Sequence, residues 1–231
     1  MIIENSHENM TDSKQDFLLV RFGISGTLRF LSHSQTLSLF QRACVRLGID
    51  VRYSQGFNPR PKISLPLPRP VGVESDDELL VLAVNGEPSP DLLKTEHWIT
   101  QLPEGCELKS ISIAREKPSF QPCRATYRLT VKQEFCNKSL ESRINRIMSS
   151  ESLVIERSID KNNSVKKIDV RGFLISIIKE QNCIIVQCRI SSAGSIRVRE
   201  IMRLLHLDVE MFACPMKRTN VQWQDIWQEK C

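Results

Sequence analysis

The feature that most restricts the fold of this chain is the order in which strand-type and helix-type apolar patterns alternate. Phe17 to Ile24 is a continuous apolar, β-branched run and predicts a buried strand. Ser32 or Ser34 can cap a following helix that runs to about Leu47, with Leu37, Phe40, Cys44 and Leu47 on one face and Gly48 as its stop. Ile49 to Tyr53 and Ile63 to Leu67 read as short extended pieces, the second limited by Pro66 and Pro68. Glu78 to Val84 predicts a strand, Pro90 to Gln101 a helix capped by Ser89, and Leu108 to Ala114 a strand. Strand, helix, strand, strand, helix, strand is the split βαβ order.

The same order follows a second time. Ala125 to Gln133 reads as a strand, Lys138 to Met148 as a helix capped by Asn137, and Leu153 to Ser158 as a strand. Asp160 to Val165 reads as a polar loop. Phe173 to Ile178 and Ile184 to Ile190 pair around Gln181-Asn182, Ile196 to Leu205 is helical, and Glu210 to Lys217 is expected to be the last strand. The expected class is therefore α+β, with two tandem ferredoxin-like (split βαβ) units. The first spans 17–115 and the second 124–219, joined by the proline-bearing linker Glu116 to Pro122. Residues 1–16 are expected to be a disordered tail, and 220–231 a second tail.

Charge is segregated along the first half. From Phe17 to Gly72 there are eight basic residues and one acid, a net of +7. From Val73 to Glu116 there are three bases and ten acids, a net of −7. Either the basic segment presents a face to an anionic partner, or the two segments neutralise one another across the fold.

Several classes of chemistry find no motif. The eight cysteines contain no C-x-x-C pair and no zinc-finger spacing to histidine, and they read as small core residues in a reducing compartment. No metal site is expected. A tight C-x-x-x-C-x-x-C cluster motif is absent, as are the phosphate-binding P-loop and the dinucleotide fingerprint. No apolar run approaches the roughly 20 residues that a membrane helix needs, and the polar start lacks the apolar centre of a secretory signal. A cytoplasmic protein with no membrane association is expected.

The densest constellation lies between Leu28 and Ser64. Gly56 gives the Tyr53 to Lys62 loop backbone freedom, Pro59 and Pro61 stiffen it, and Arg60 and Lys62 supply cations. Tyr53 and Phe57 interleave aromatic surface with that charge, a combination suited to single-stranded nucleic acid. The alternative is that the two rings only pack the loop onto the core. Arg42 and Arg46 lie four apart on the helix and can point the same way. The candidate binding set is Arg29, Arg42, Arg46, Tyr53, Gln55, Phe57, Asn58, Arg60 and Lys62. His33, at the start of that helix, is the candidate catalytic residue, as a general base or a phosphate ligand, and the alternative is a cap or a packing residue. Gly194-Ser195, ahead of Arg197 and Arg199, opens the last helix and reads either as a phosphate cradle or as a plain turn before a solvated helix face.

With those residues in view, the chain resembles the radical SAM-linked protein family, found beside or fused to cobalamin-binding-type radical S-adenosylmethionine proteins. The resemblance rests on LRFLSHSQTLSLFQRACVRLGI (Leu28 to Ile49), YSQGFNPRPKISLPLPRPVGVES (Tyr53 to Ser75), KKIDVRGFL (Lys166 to Leu174) and SIRVREIMRLLHL (Ser195 to Leu207). Two places depart from the family pattern. Arg69-Pro70-Val71-Gly72-Val73 stands where small residues lead to P-L-G-V, and Arg197-Val198-Arg199-Glu200 stands where R-P-E is commoner. The resemblance implies a radical SAM protein as partner, whose iron–sulfur cluster, S-adenosylmethionine and cobalamin are not held by this chain. The element order is also similar to that of CRISPR repeat-processing endoribonucleases, which is a likeness of layout alone.

Three readings of function follow. The first is an accessory module that binds RNA (tRNA or rRNA), or another anionic substrate, for a radical SAM enzyme. The second is a metal-independent RNA-processing enzyme that uses His33. The third is a pure protein adaptor.

Overall fold

The computed structural model describes residues 16–116, 118–158 and 165–225. The first apolar run forms β1 (Asp16–Ile24), where Leu18, Val20 and Phe22 are fully buried. α1 (His33–Arg46) begins at Ser32, whose hydroxyl accepts from the Gln35 amide N–H, while the Gln35 side chain accepts from the Ser32 amide N–H at 2.8 Å. This reciprocal cap satisfies amide groups that the first turn leaves open. The helix buries Phe40, Ala43 and Cys44, with the Phe40 ring edge-on to Phe22 at 4.5 Å between centroids.

β2 (Ile63–Ser64) is only two residues long because Pro66 and Pro68 cannot donate to a ladder. β3 (Glu74–Val84) starts four residues earlier than expected and carries an acidic first half. The helix expected over Pro90 to Gln101 is broken. A 3-10 turn over Pro90–Leu93 ends at Lys94, whose backbone is extended, and α2 (Thr95–Ile99) follows. The break lets the buried Trp98 indole N–H donate to the Leu92 carbonyl at 3.0 Å. β4 (Cys106–Ala114) completes the first half.

β5 (Phe120–Thr130) takes in part of the expected linker, and its Pro122 is tolerated beside a register shift opposite Trp223. α3 (Lys138–Ser149) is capped by the Asn137 side chain, which accepts from the Leu140 N–H. β6 (Val154–Ser158) and β7 (Val165–Asp169) form a separate two-stranded sheet, so the expected strand at Leu153 to Ser158 does not join the main one. Most of the polar loop expected from Asp160 lies outside the described residues. β8 (Leu174–Glu180) and β9 (Cys183–Ser191) pair around Gln181, which has a φ of 54°. β10 (Gly194–Ser195) leads into α4 (Val198–Leu205).

The last strand is displaced from its expected place. Of the expected Glu210 to Lys217 strand, all but Lys217 is irregular or in a 3-10 turn over Val209–Met211, and β11 (Lys217–Asp225) lies largely within the expected tail. The segment is polar in sequence, which hid it, yet it pairs with β5 on one side and β3 on the other.

The described residues form an α+β fold with four α-helices and one mixed nine-strand sheet in the order β10-β9-β5-β11-β3-β1-β4, with β2 on β3 and β8 on β9. The sheet runs without a break from one half to the other, through the short parallel pairing of β11 with β3. Two hydrophobic cores sit along it. One gathers β1, β3, α1 and Trp98, and the other gathers β5, β9, α3 and α4. Val73, from the first half, packs in the second core.

Candidate functional site

Backbone pairing builds the loop that carries most of the sequence-predicted residues. The Lys62 amide donates to the Arg52 carbonyl at 2.7 Å and the Ser54 amide to the Arg60 carbonyl at 2.8 Å. The Ser54 hydroxyl accepts from the Arg60 amide at 2.9 Å. Gly56 has a φ of 132°, which a residue with a side chain rarely adopts. The tip therefore projects, with Gln55, Phe57, Asn58, Arg60 and Lys62 all exposed. Phe57 is 101% exposed and Tyr53 46% exposed, so the Phe57 ring does not pack the loop onto the core.

The other predicted residues are scattered. Arg42 is exposed on α1. Arg46 is tied to the α2 side by hydrogen bonds to the side chain and the carbonyl of Gln101, so one neighbour already occupies it. His33 is exposed as the first residue of α1, and it borders a small void with Thr36, Leu65, Arg69 and Glu78. Its imidazole makes no hydrogen bond to another described residue. Arg29 has its guanidinium 4.3 Å from the Phe30 ring centre and donates to the Gly26 carbonyl at 2.7 Å.

The acids of β3 have identifiable partners. Asp77 accepts from Arg21 at 2.9 Å and from the Val221 amide at 2.8 Å. Asp76 faces Lys217 at 3.1 Å, Glu74 also faces Lys217, and Glu78 is paired with Arg218. The acids of β3 are thus met mainly by β11. Of the eight bases between Phe17 and Gly72, Arg21 alone is ion-paired among the described residues.

Arg29 belongs to a second feature that the sequence did not disclose, a cleft of about 1150 Å³ between the two halves. One wall is Arg29, Phe30 and Leu67 to Val73, and the other is the start of α4 with the 207–216 segment. Five arginines (Arg29, Arg69, Arg197, Arg199 and Arg203) and one acid, Asp208, line it. Three of the four stretches that carry the resemblance contribute to these walls. None of the residues from Tyr53 to Lys62 does, so the structure places the loop and the cleft apart.

Buried charge fixes the cleft walls. Arg69 donates to the carbonyls of Leu28, Arg29, Leu31, Pro70 and Val73, between 2.5 and 3.3 Å. Burial lowers the pKa of its guanidinium, with the Glu78 charge opposing that. Arg157 clamps both carboxylate oxygens of Glu200 at 2.9 and 2.8 Å, and Glu200 also accepts from the Arg197 amide, which sets the start of α4. Arg218, 1% exposed, donates to Glu78 at 2.5 Å across the seam. Burial acts to lower the Arg218 pKa, and the Glu78 and Tyr127 groups outweigh it, so the guanidinium stays charged. Burial pushes the Cys188 thiol, on the cleft floor, up to about 12, so it remains protonated and unreactive at neutral pH.

The seven described cysteines are all free thiols, and no group of His, Cys, Asp and Glu among the described residues is arranged to hold a metal ion. Among the described residues, no helix is long and apolar enough to cross a membrane.

Taken together, this is an α+β protein whose continuous sheet joins two halves around an arginine-lined cleft. Residues 18–200 match the family described as an uncharacterized protein conserved in bacteria (DUF2344), and the chain belongs to that family. No curated protein was found to match it.

Proposed function

We propose that this protein is an accessory to a radical SAM enzyme and binds an RNA for it through the Tyr53 to Lys62 loop, with Arg42 of α1 as a further phosphate contact. The observation that carries the reading is Phe57. A phenyl ring held fully in water loses the stabilisation of about 1.5–3 kcal/mol that burial would bring. Its exposure beside Arg60 and Lys62, which are not ion-paired among the described residues, supports a stacking platform flanked by phosphate contacts. The role of the radical SAM partner, with its own cluster and cofactors, rests on the sequence resemblance. The free thiols are consistent with work in the cytoplasm.

We infer that the architecture is two ferredoxin-like units joined through β11 and β3. Neighbour orders β4-β1-β3-β2 and β11-β5-β9-β8, each wholly antiparallel, support this, with β6 and β7 as an insertion in the second.

The test is binding to total cellular RNA at 50 and 300 mM salt. Phosphate-based binding should weaken steeply with salt. Phe57→Ala should cut affinity about tenfold, the scale of one stacked base. Arg42→Ala/Arg60→Ala/Lys62→Ala should flatten the salt dependence. Salt-independent binding, or an unchanged affinity in both variants, would overturn the reading in favour of a protein adaptor.

A further inference from the structure

We propose that the cleft between the two halves is a binding site for a nucleotide, a flat ring system carrying one or more phosphates. This goes beyond the RNA-binding reading, because the cleft and the loop share no residue.

Size is the first observation. About 1150 Å³ slightly exceeds the roughly 300–1,000 Å³ typical of small-molecule sites, so a whole nucleotide fits within the walls. Charge is the second. Arg69 spends its donors on backbone carbonyls and serves the wall. The other four arginines are available. The side chains of Arg197, Arg199 and Arg203 make no hydrogen bond or ion pair with any described residue, and Arg29, stacked on the Phe30 ring, donates only to the Gly26 carbonyl among the described residues. Among the described residues Asp208 is the only acid on the lining, and it pairs with none of them. Four guanidinium groups facing one concavity repel one another, and a multiply charged anion relieves that repulsion. Guanidinium is also the side chain best matched to phosphate oxygens.

The third observation is the rest of the lining. Phe30 and Val71 are 57% and 53% exposed at the mouth, and Met202, Phe212, Ile190 and Met216 continue the apolar surface inward. Aromatic and thioether groups suit the face of a flat ring. A lone inorganic anion would leave this surface wet, and a single-headed fatty acid would leave most of the arginines unused. A base with its phosphates engages both. Arg199 and Arg203 stand four apart on α4, and the Arg157–Glu200 clamp holds that helix start, so the phosphate end is organised before the ligand arrives.

The experiment is isothermal titration of the full chain with the mono- and diphosphates of the four common ribonucleosides, and with inorganic phosphate. At least one nucleotide should bind saturably at one site per chain, more tightly than phosphate alone. Arg199→Gln/Arg203→Gln, both exposed, should weaken it tenfold or more. Val71→Trp, which fills the mouth, should abolish it without removing a charge. Arg60→Ala/Lys62→Ala should leave nucleotide binding intact, which separates this site from the RNA reading. No binding of any of these nucleotides at millimolar concentration, or binding unchanged in both cleft variants, overturns the proposal.

Discussion

At the scale of the residue, Arg218 and Glu78 carry the largest electrostatic stake in the molecule. Both side chains are almost wholly buried, and their bond joins the last strand to the first half. Removing one partner of such a pair leaves a desolvated charge, which costs about 3–5 kcal/mol. Glu78→Gln and Arg218→Met are each expected to lose that much in urea unfolding. Glu78→Leu/Arg218→Met is expected to cost less than the two single changes added together. Single variants within about 1 kcal/mol of the native protein would show that water reaches the pair. The importance of Arg218 was hidden in the sequence, since an arginine in a polar segment reads as solvent-facing. The exposed loop residues were legible, because glycine, two prolines and alternating rings and cations leave few other conformations.

Elements were legible where local chemistry alone decides them. The Ser32 and Asn137 caps and the Gly48 stop place α1 and α3 within a residue of expectation. Ser32→Ala is expected to cost about 1 kcal/mol, seen as a lower urea midpoint with an unchanged slope. A null effect would mean that the Gln35 side chain carries the cap alone. Elements decided by particular side-chain or strand partners were not legible. α2 breaks because Trp98 needs the Leu92 carbonyl, and no local propensity states that. β11 is a strand because β3 and β5 flank it, although only Val221 and Arg218 among its described side chains are buried. The cleft is more nonlocal still, since its walls come from segments that no periodicity connects.

For the whole molecule, the question is whether the two cores behave as one folding unit. Each is large enough to suggest independence, and only two residue pairs join β11 to β3. Yet the seam holds more than that ladder. The Glu74 amide donates to the Met216 carbonyl at 2.8 Å, Val221 is bonded to Asp77, Lys217 faces two acids, and Arg218 is buried against Glu78. Separating the halves would expose these buried groups and the edges of β3 and β11, a cost that independent domains joined by a wet interface do not face. Unfolding is therefore expected to be a single transition. Trp98 is fully buried in the first core, so its fluorescence in a Trp223→Phe/Trp227→Phe background can be compared with far-ultraviolet circular dichroism across a urea series. The two curves should coincide in that background and separate once Glu78→Gln is added, because the seam then fails before either core does. Curves already separate without that change would mean that the cores fold on their own and the sheet joins them only afterwards.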